Sequence, residues 1–413
     1  MRRYKVLLVV GDGLGDRPIE VLGNKTPLQV ARTENIDLLL RNSVVGLMDP
    51  IAPGVRPGSD TSHLALLGLD PFNYYSGRGV FEALGAGAEL SEGDVALRGN
   101  FATVNEDMVV KDRRAGRNLK EAGELVKELN ERIGEVLGVK VRFYRGTEHR
   151  LAVVLSGRDL GEKVSDTDPH EEGLKLNPCA PLTSDERDLR TCKVINELTR
   201  RAHEVLRNSR LNADREREGL PPANVLLLRG ASKYRAVPSL RSRTGMDGAC
   251  VTATAVIRGI CKALELESHT PPGATGGLDT DYLSKGREAA RVLREKDFVL
   301  LHVKATDAAS HDGLAKQKVE AIEGIDKAVG EVLMNFGEEL VVAVTGDHST
   351  PVELKEHSGD PVPLMIHCPN RLTREDVSHF DEGGAKRGSL RVRGLDLMNL
   401  LLNYSNRAQK FGE

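Results

Sequence analysis

The side chains in this chain best suited to chemistry are aspartates and histidines that follow apolar runs. In VVAVTGDHSTP (341–351), Asp347 and His348 stand together beyond Gly346 and ahead of Pro351. In FVLLHVKATDAASHDG (298–313), Asp307 and His311 lie four apart, so a helical turn there sets both on one face. His357 comes shortly before the apolar run PVPLMIH, and Asp12 sits between two glycines at the end of YKVLLVVGDG. A carboxylate beside an imidazole suits a borderline divalent cation. One such pair carries little weight, because turn aspartates and solvated histidines are common. The weight comes from recurrence: four strand ends repeat the design in a chain with only 11 histidines.

Those residues need strands to deliver them. The runs ahead of Asp12, Asp307 and Asp347 are apolar, rich in β-branched residues and do not alternate. That is the pattern of strands buried on both faces of a parallel sheet, whose carboxyl edge is the binding edge of open α/β folds. TPLQVARTENIDLLLRNS (26–43) reads as a capped helix, followed by a strand in VVGLMDP. The Gly- and Pro-rich APGVRPGSDTSHLALLGLDP (52–71) carries Ser59, Asp60, Thr61, Ser62 and His63 before an apolar stretch. Its plain reading is a helix cap, and its sharper reading makes one hydroxyl a nucleophile. GACVTATAVIRGICKALEL (248–266) reads as a helix. PPGATGGLDT reads as a spacer, since it lacks the Gly-Lys-Ser/Thr ending of a phosphate-binding loop. Further helices are expected at 280–295, 314–335 and 394–407.

From about residue 76 the texture changes. Short alternating runs suggest a hairpin, followed by a cationic knot of Lys111, Arg113, Arg114 and Arg117, then a helix at 119–137. RFYRGTEHRLAVVLSG adds Arg145, His149 and Arg150, a charged helical pattern covers 184–215, and the strand NVLLLRGASKY carries Arg229 and Lys233. Taken singly, these cations are ordinary surface partners. As a set at strand and turn ends, Arg113, Arg114, Arg117, Arg150 and Arg229 fit recognition of carboxylate and phosphate. We therefore expect a metal domain over 1–75 and 238–413, with a second, smaller α/β domain inserted at 76–237.

Composition narrows the classes. With 413 residues there is ample length for a core, and a net charge of −3 does not favour nucleic acid or an anionic membrane. Aromatics are 4% with no Trp, so base-stacking surfaces are not expected. Five cysteines without paired spacing read as reduced thiols, and no apolar run reaches bilayer length, so a cytoplasmic location is the expectation.

Asp12, GSDTSH (58–63), the Asp-x3-His at 307–311, TGDH (345–348) and His357 before PVP together resemble the alkaline phosphatase superfamily. KDRRAGR (111–117), LHVKATD (301–307) and GATGGLDT (273–280) are similar to segments of its cofactor-independent phosphoglycerate mutases, in the shorter archaeal-type branch. The resemblance covers most of the chain. It implies a mostly parallel sheet sandwiched by helices and an isomerase that moves a phosphoryl group between 3- and 2-phosphoglycerate, a step of glycolysis and gluconeogenesis. It also implies one ion on Asp307, His311 and His357, and another on Asp12, Asp347, His348 and the oxygen of Ser59. Ser59 lies four before His63, as the nucleophile does in the longer branch, whose Gly-Asn-Ser-Glu-Val-Gly-His is one residue longer than GSDTSH. Thr61 and Ser62 therefore stay open as acceptors. The expected ions are two Mn²⁺, with Zn²⁺ or Co²⁺ as alternatives, and no organic cofactor. The partner is a small phosphate ester. The alternative readings are a metal-dependent phosphomonoesterase or another phosphomutase. A metal-stabilised binding module fits less well, because structural sites saturate themselves with protein ligands.

Overall fold

The computed structural model describes residues 2–337, 339–369, 376–410 and 412. Its strands, in chain order, are β1 (Lys5–Gly11), β2 (Ser43–Asp49), β3 (Val95–Val104), β4 (Val110–Asp112), β5 (Glu135–Val136), β6 (Val139–Arg145), β7 (Arg150–Ser156) and β8 (Val225–Lys233). They continue as β9 (Gly248–Val251), β10 (Glu267–His269), β11 (Phe298–Val303), β12 (Leu340–Gly346), β13 (Val362–His367) and β14 (Leu390–Arg393). The chain divides into two compact units, Met1–Tyr75 with Val237–Glu413, and Ser76–Ala236.

The first unit is built on a sheet in the order β10-β9-β11-β1-β12-β13-β2-β14. It is parallel throughout except that β13 runs against both of its neighbours. Val6 to Val10 of β1 are all fully buried, so both faces of the strand are covered, as its unalternating sequence requires. Leu7 and Val9 pack in one cluster with Ile322, Ile325 and Val329 of the helix Ala315–Phe336. Each such side chain contributes roughly 1.5–3 kcal/mol through burial. β1 lies between β11 and β12, with Gly11 opposite both Val303 and Gly346. Three strands therefore end level with one another, and that register positions the site.

The second unit is an antiparallel sheet, β4-β3-β7-β6-β5, with β8 paired to β3. The helices Ala122–Arg132 and Glu186–Arg207 share one core cluster with β3, β6, β7 and β8. The charged pattern after 184 continues in a separate helix, Arg210–Arg217.

Three local expectations change. The helix expected over 119–137 spans only Ala122–Arg132, because residues 135–136 form β5 and pair with β6. Residues 26–43 do not form one helix. Pro27–Val30 is capped by a Thr26–Gln29 box and ends where Ala31 turns extended, and a second helix spans Glu34–Leu39. The second start is capped from a distance: Asp326 accepts hydrogen bonds from the Ile36 N–H and the Asn35 side chain, each at 2.8 Å. Residues 248–266 open with strand β9, which pairs in parallel with β10 and β11, and only Ala255–Ala263 is helical. The three remaining helices, Tyr282–Leu293, Ala315–Phe336 and Gly394–Tyr404, fall within a turn of expectation. PPGATGGLDT is a loop tied internally, with the Thr275 hydroxyl donating to Asp279. The five cysteines are free and buried, and no described helix is long and apolar enough to cross a membrane.

Glu382 ties distant parts of the first unit together. Its carboxylate accepts hydrogen bonds from the Thr26 hydroxyl at 2.5 Å and from the Asp16 N–H at 3.2 Å. Burial of the carboxylate pushes its pKa up to about 7, from an ordinary 4.5, against the opposing pull of those hydrogen bonds and of Lys318. An acid with a raised folded-state pKa holds more protons folded than unfolded between the two values. Its contribution is thus whole below about pH 4.5 and is lost as pH rises to about 7. Urea unfolding from pH 4 to 8 should show Glu382→Gln lacking a wild-type decline worth up to about 3 kcal/mol. Identical slopes in the two proteins would contradict this assignment.

Candidate active site

Because β1, β11 and β12 end level, the next residue of each strand enters the same space: Asp12, Lys304 and Asp347. The Lys304 ammonium lies 3.0 Å from Asp12 Oδ1. Gly13 makes the close approach possible. It has φ +64°, and a Cβ there would meet Thr350 Oγ1 at 2.6 Å and Asp307 Oδ1 at 2.8 Å. Its N–H donates to Asp347 Oδ1 at 3.0 Å.

The helix Ala305–His311 follows β11 directly and places Asp307 and His311 on one face, with His311 Nε2 3.3 Å from Asp307 Oδ2. His357 Nε2 reaches Asp307 Oδ1 at 3.5 Å, and the His357 ring stacks on His348 with centroids 3.6 Å apart. Ligand atoms of Asp12, Asp347 and His348 lie within 4.8 Å of one another, as do those of Asp307, His348 and His357. His311 and His357 form a further such group with Glu356, which the sequence did not single out. All seven residues expected at the metal site are therefore brought together, Ser59 included. That serine opens the helix Ser59–Leu66, and its Oγ lies 3.1 Å from His348 Nε2 and 3.5 Å from Asp12 Oδ1. The Thr61 and Ser62 hydroxyls instead donate back to the Gly58 carbonyl, at 3.0 and 2.8 Å.

The hydrogen bonds fix which histidine nitrogens are open. His311 Nδ1 faces the Lys355 carbonyl at 2.9 Å, and His357 Nδ1 faces the Pro57 carbonyl at 2.8 Å. A carbonyl only accepts, so both Nδ1 atoms carry a proton, which leaves Nε2 of each ring as the nitrogen turned inward and able to face a cation. The Thr350 hydroxyl sits 2.9 Å from both His348 Nδ1 and Asp307 Oδ1. Donating to the carboxylate and accepting from the ring, it gives His348 the same tautomer. Support of this kind from behind the ligands is typical of metal-binding histidines.

Charge in the pocket is uneven. Burial works against ionisation of Asp12, but Lys304, His302 and His348 outweigh it and hold the carboxyl well below its ordinary range. Burial, then the Asp12 charge, push Asp347 up to about 7. Among the described residues, Asp347 Oδ2 and His63 Nε2 are buried without a hydrogen-bond partner. An orphaned carboxylate oxygen beside inward-facing imidazole nitrogens is chemistry that divalent cations satisfy, so the residues fit the implied ions. Burial also lowers His63 and His302 to about 4, which keeps both rings neutral.

In the second unit, Arg113, Arg114, Arg117, Arg150 and Arg229 line one pocket together with Asn100, Glu148 and His149. Arg113 grips the buried Asp168 with two hydrogen bonds, 3.2 and 2.7 Å, and Arg229 reaches the same carboxylate at 3.3 Å. Asp168 so orients two guanidinium groups. Arg117 lies only loosely on Glu148, at 3.9 Å, and is largely exposed.

Comparison with known proteins agrees with this geometry. A family model described as 2,3-bisphosphoglycerate-independent phosphoglycerate mutase matches residues 41–212. Over the full length of both chains, the sequence is 60% identical to the protein of that name from Metallosphaera sedula and 57% identical to that from Saccharolobus solfataricus. The chain belongs to this family. Among solved structures it is similar to the cofactor-independent phosphoglycerate mutase of Thermoplasma acidophilum, with a TM-score of 0.74 and 38% identity over 97% of this chain and all of that one. A Pyrococcus horikoshii protein superimposes with a TM-score of 0.84 at 35% identity over the whole of both chains.

Sequence reasoning missed three residues of this phosphoglycerate mutase that contact the expected site residues from behind or between them: His302, Lys304 and Thr350. His302 and Lys304 lie in and just after strand β11, where polar residues among apolar ones were the available signal. Thr350 gave none, since a threonine in a turn is unremarkable by type. Thr350→Val keeps the shape but removes the hydroxyl shared by Asp307 and His348. Calorimetric titration with Mn²⁺ should show affinity reduced about tenfold or more with folding intact. Unchanged affinity would mean that the hydroxyl does not hold the ligands.

Proposed function

We propose a route for the phosphoglycerate interconversion that this chain, as a member of its family, carries out: the phosphoryl group passes through Ser59 at a two-metal site. The observation that carries it is the Ser59 hydroxyl, aimed at Asp12 and His348 from the first turn of its helix while Thr61 and Ser62 turn to the Gly58 carbonyl. Asp307, His311 and His357 would hold one divalent ion, and Asp12, Asp347, His348 and Ser59 Oγ the other. Mn²⁺ suits this donor set, with Zn²⁺ or Co²⁺ as alternatives, while the imidazole share disfavours Mg²⁺. Such ions, when bound, offset phosphoryl charge and make a ligated hydroxyl more acidic. The residues do the rest. Ser59 Oγ attacks phosphorus and loses its proton, the ester bond to the 3-oxygen breaks, and that oxygen takes up a proton. The glycerate turns, and its 2-hydroxyl takes the phosphoryl group from Ser59 in the reverse sequence.

Glycerate must stay bound between the two transfers, or water will take the phosphoryl group instead. We assign its carboxylate to the arginine pocket of the second unit. Arg113 and Arg229 are steered by Asp168, and Arg114, Arg117 and Arg150 are the remaining cations of the pocket.

Two measurements test this reading. Acid-quenched wild type exposed to 3-phosphoglycerate should carry phosphate on Ser59 by mass spectrometry, and Ser59→Ala should bind metal yet lose turnover. Phosphate found on Thr61 or Ser62 would refute the assignment. Second, the ratio of 2-phosphoglycerate to free phosphate formed from 3-phosphoglycerate should fall about tenfold or more in Arg113→Ala, Arg114→Ala or Arg117→Ala, since a bidentate ion contact is lost. If all three leave ratio and turnover unchanged, the pocket has no part in the reaction. A wild type making only free phosphate would identify a phosphatase.

A further inference from the structure

Lys304 has no role in the route above, yet it occupies the centre of the site. Its ammonium lies 3.0 Å from Asp12 Oδ1 and 2.6 Å from Asp307 Oδ2. Those two carboxylates belong to different ligand sets, so one side chain spans both. Ser59 Oγ approaches the same Asp12 oxygen, at 3.5 Å. The ammonium and the phosphoryl acceptor therefore share one atom as neighbour. A quarter of the Lys304 side chain is exposed, so the charge is not sealed away from an incoming ligand.

Lys304 is the positive charge that directly bridges the metal-site carboxylates. A divalent ion entering either set meets that charge at close range, and like charges in a partly buried pocket repel strongly. A phosphate ester arriving at Ser59 is attracted by it. Lysine suits both parts because it is a compact charge on a flexible four-carbon stem, able to leave a carboxylate for a phosphoryl oxygen.

We propose that Lys304 is a resident cation of the active site that opposes the metal ions and favours the phosphoryl group, touching its oxygens while it is carried by Ser59. The proposal rests on the two-ion reading. A lysine whose role was to hold the carboxylates in position would on removal weaken metal and phosphate binding together, through lost ligand geometry. A resident cation affects them in opposite directions.

The experiment uses the full-length protein, wild type, Lys304→Met, Lys304→Gln and Lys304→Arg. Chelator-treated protein is titrated with Mn²⁺ by calorimetry, and the metal-saturated protein is then titrated with inorganic phosphate. Lys304→Met and Lys304→Gln should bind Mn²⁺ about tenfold or more tightly and phosphate about tenfold or more weakly. Lys304→Arg, which keeps the charge, should stay near wild type in Mn²⁺ affinity. Phosphate affinity unchanged in the neutral variants, or Mn²⁺ affinity lowered in them, overturns the proposal. If Lys304→Met does not fold, the two affinities of Lys304→Gln decide alone. Fewer than two ions bound by wild type would overturn the two-ion reading instead, and the phosphate arm would still decide the role of Lys304.

Discussion

Asp12, Asp307 and Asp347 are buried together at the carboxyl edge of one sheet, and carboxylates in that position repel one another with little solvent to screen them. The neighbouring architecture offsets that repulsion. Lys304 bridges two of the three, His302 donates to Asp12 at 2.9 Å, and the Gly13 N–H donates to Asp347. The compensation is incomplete. Asp12 is held ionised while Asp347, with one oxygen lacking a donor, is pushed up to about 7. A buried acid in that condition is a place prepared for positive charge.

Holding such a pocket open requires rigid walls. The loops after β1 and β12 are locked to one another by the fully buried Lys318, whose ammonium donates to the Gly15 and Thr350 carbonyls and to Asp16 at 2.8 Å. Asp16 in turn accepts from the Val352 N–H. Buried ion pairs of this kind contribute little net stability over an apolar filling, but breaking one partner costs several kcal/mol, roughly 3–5. Their effect here is geometric: Asp12 and the Asp347–His348 pair are carried on loops that cannot drift apart. The flexible stem of Lys304 stands in contrast to these fixed groups.

The two units answer opposite electrostatic demands. The first gathers carboxylates and imidazoles, which suit cations. The second gathers guanidinium groups and spends one buried carboxylate, Asp168, on orienting two of them. Guanidinium groups pair with carboxylates and phosphates, as carboxylates and imidazoles pair with metal ions.

The strands were legible in the sequence because burial on both faces demands an unbroken apolar run, and β1, β11 and β12 each have one. The aspartates and histidines beyond them were legible by type and position. So was the Asp307–His311 face, since helical spacing is a local property. What the sequence could not express was anything set by a distant partner. The helix expected over 26–43 breaks at a start capped by Asp326, and residues 248–251 become a strand because β10 and β11 lie alongside. Ser59, Thr61 and Ser62 are equivalent hydroxyls in one dimension. Only the folded helix start aims one at Asp12 and His348 and turns the others to the Gly58 carbonyl. Thr350 and Lys318 were silent for the same reason. Residue type and period report what a segment needs from its surroundings, while strand register and long-range hydrogen bonds decide which surroundings it meets.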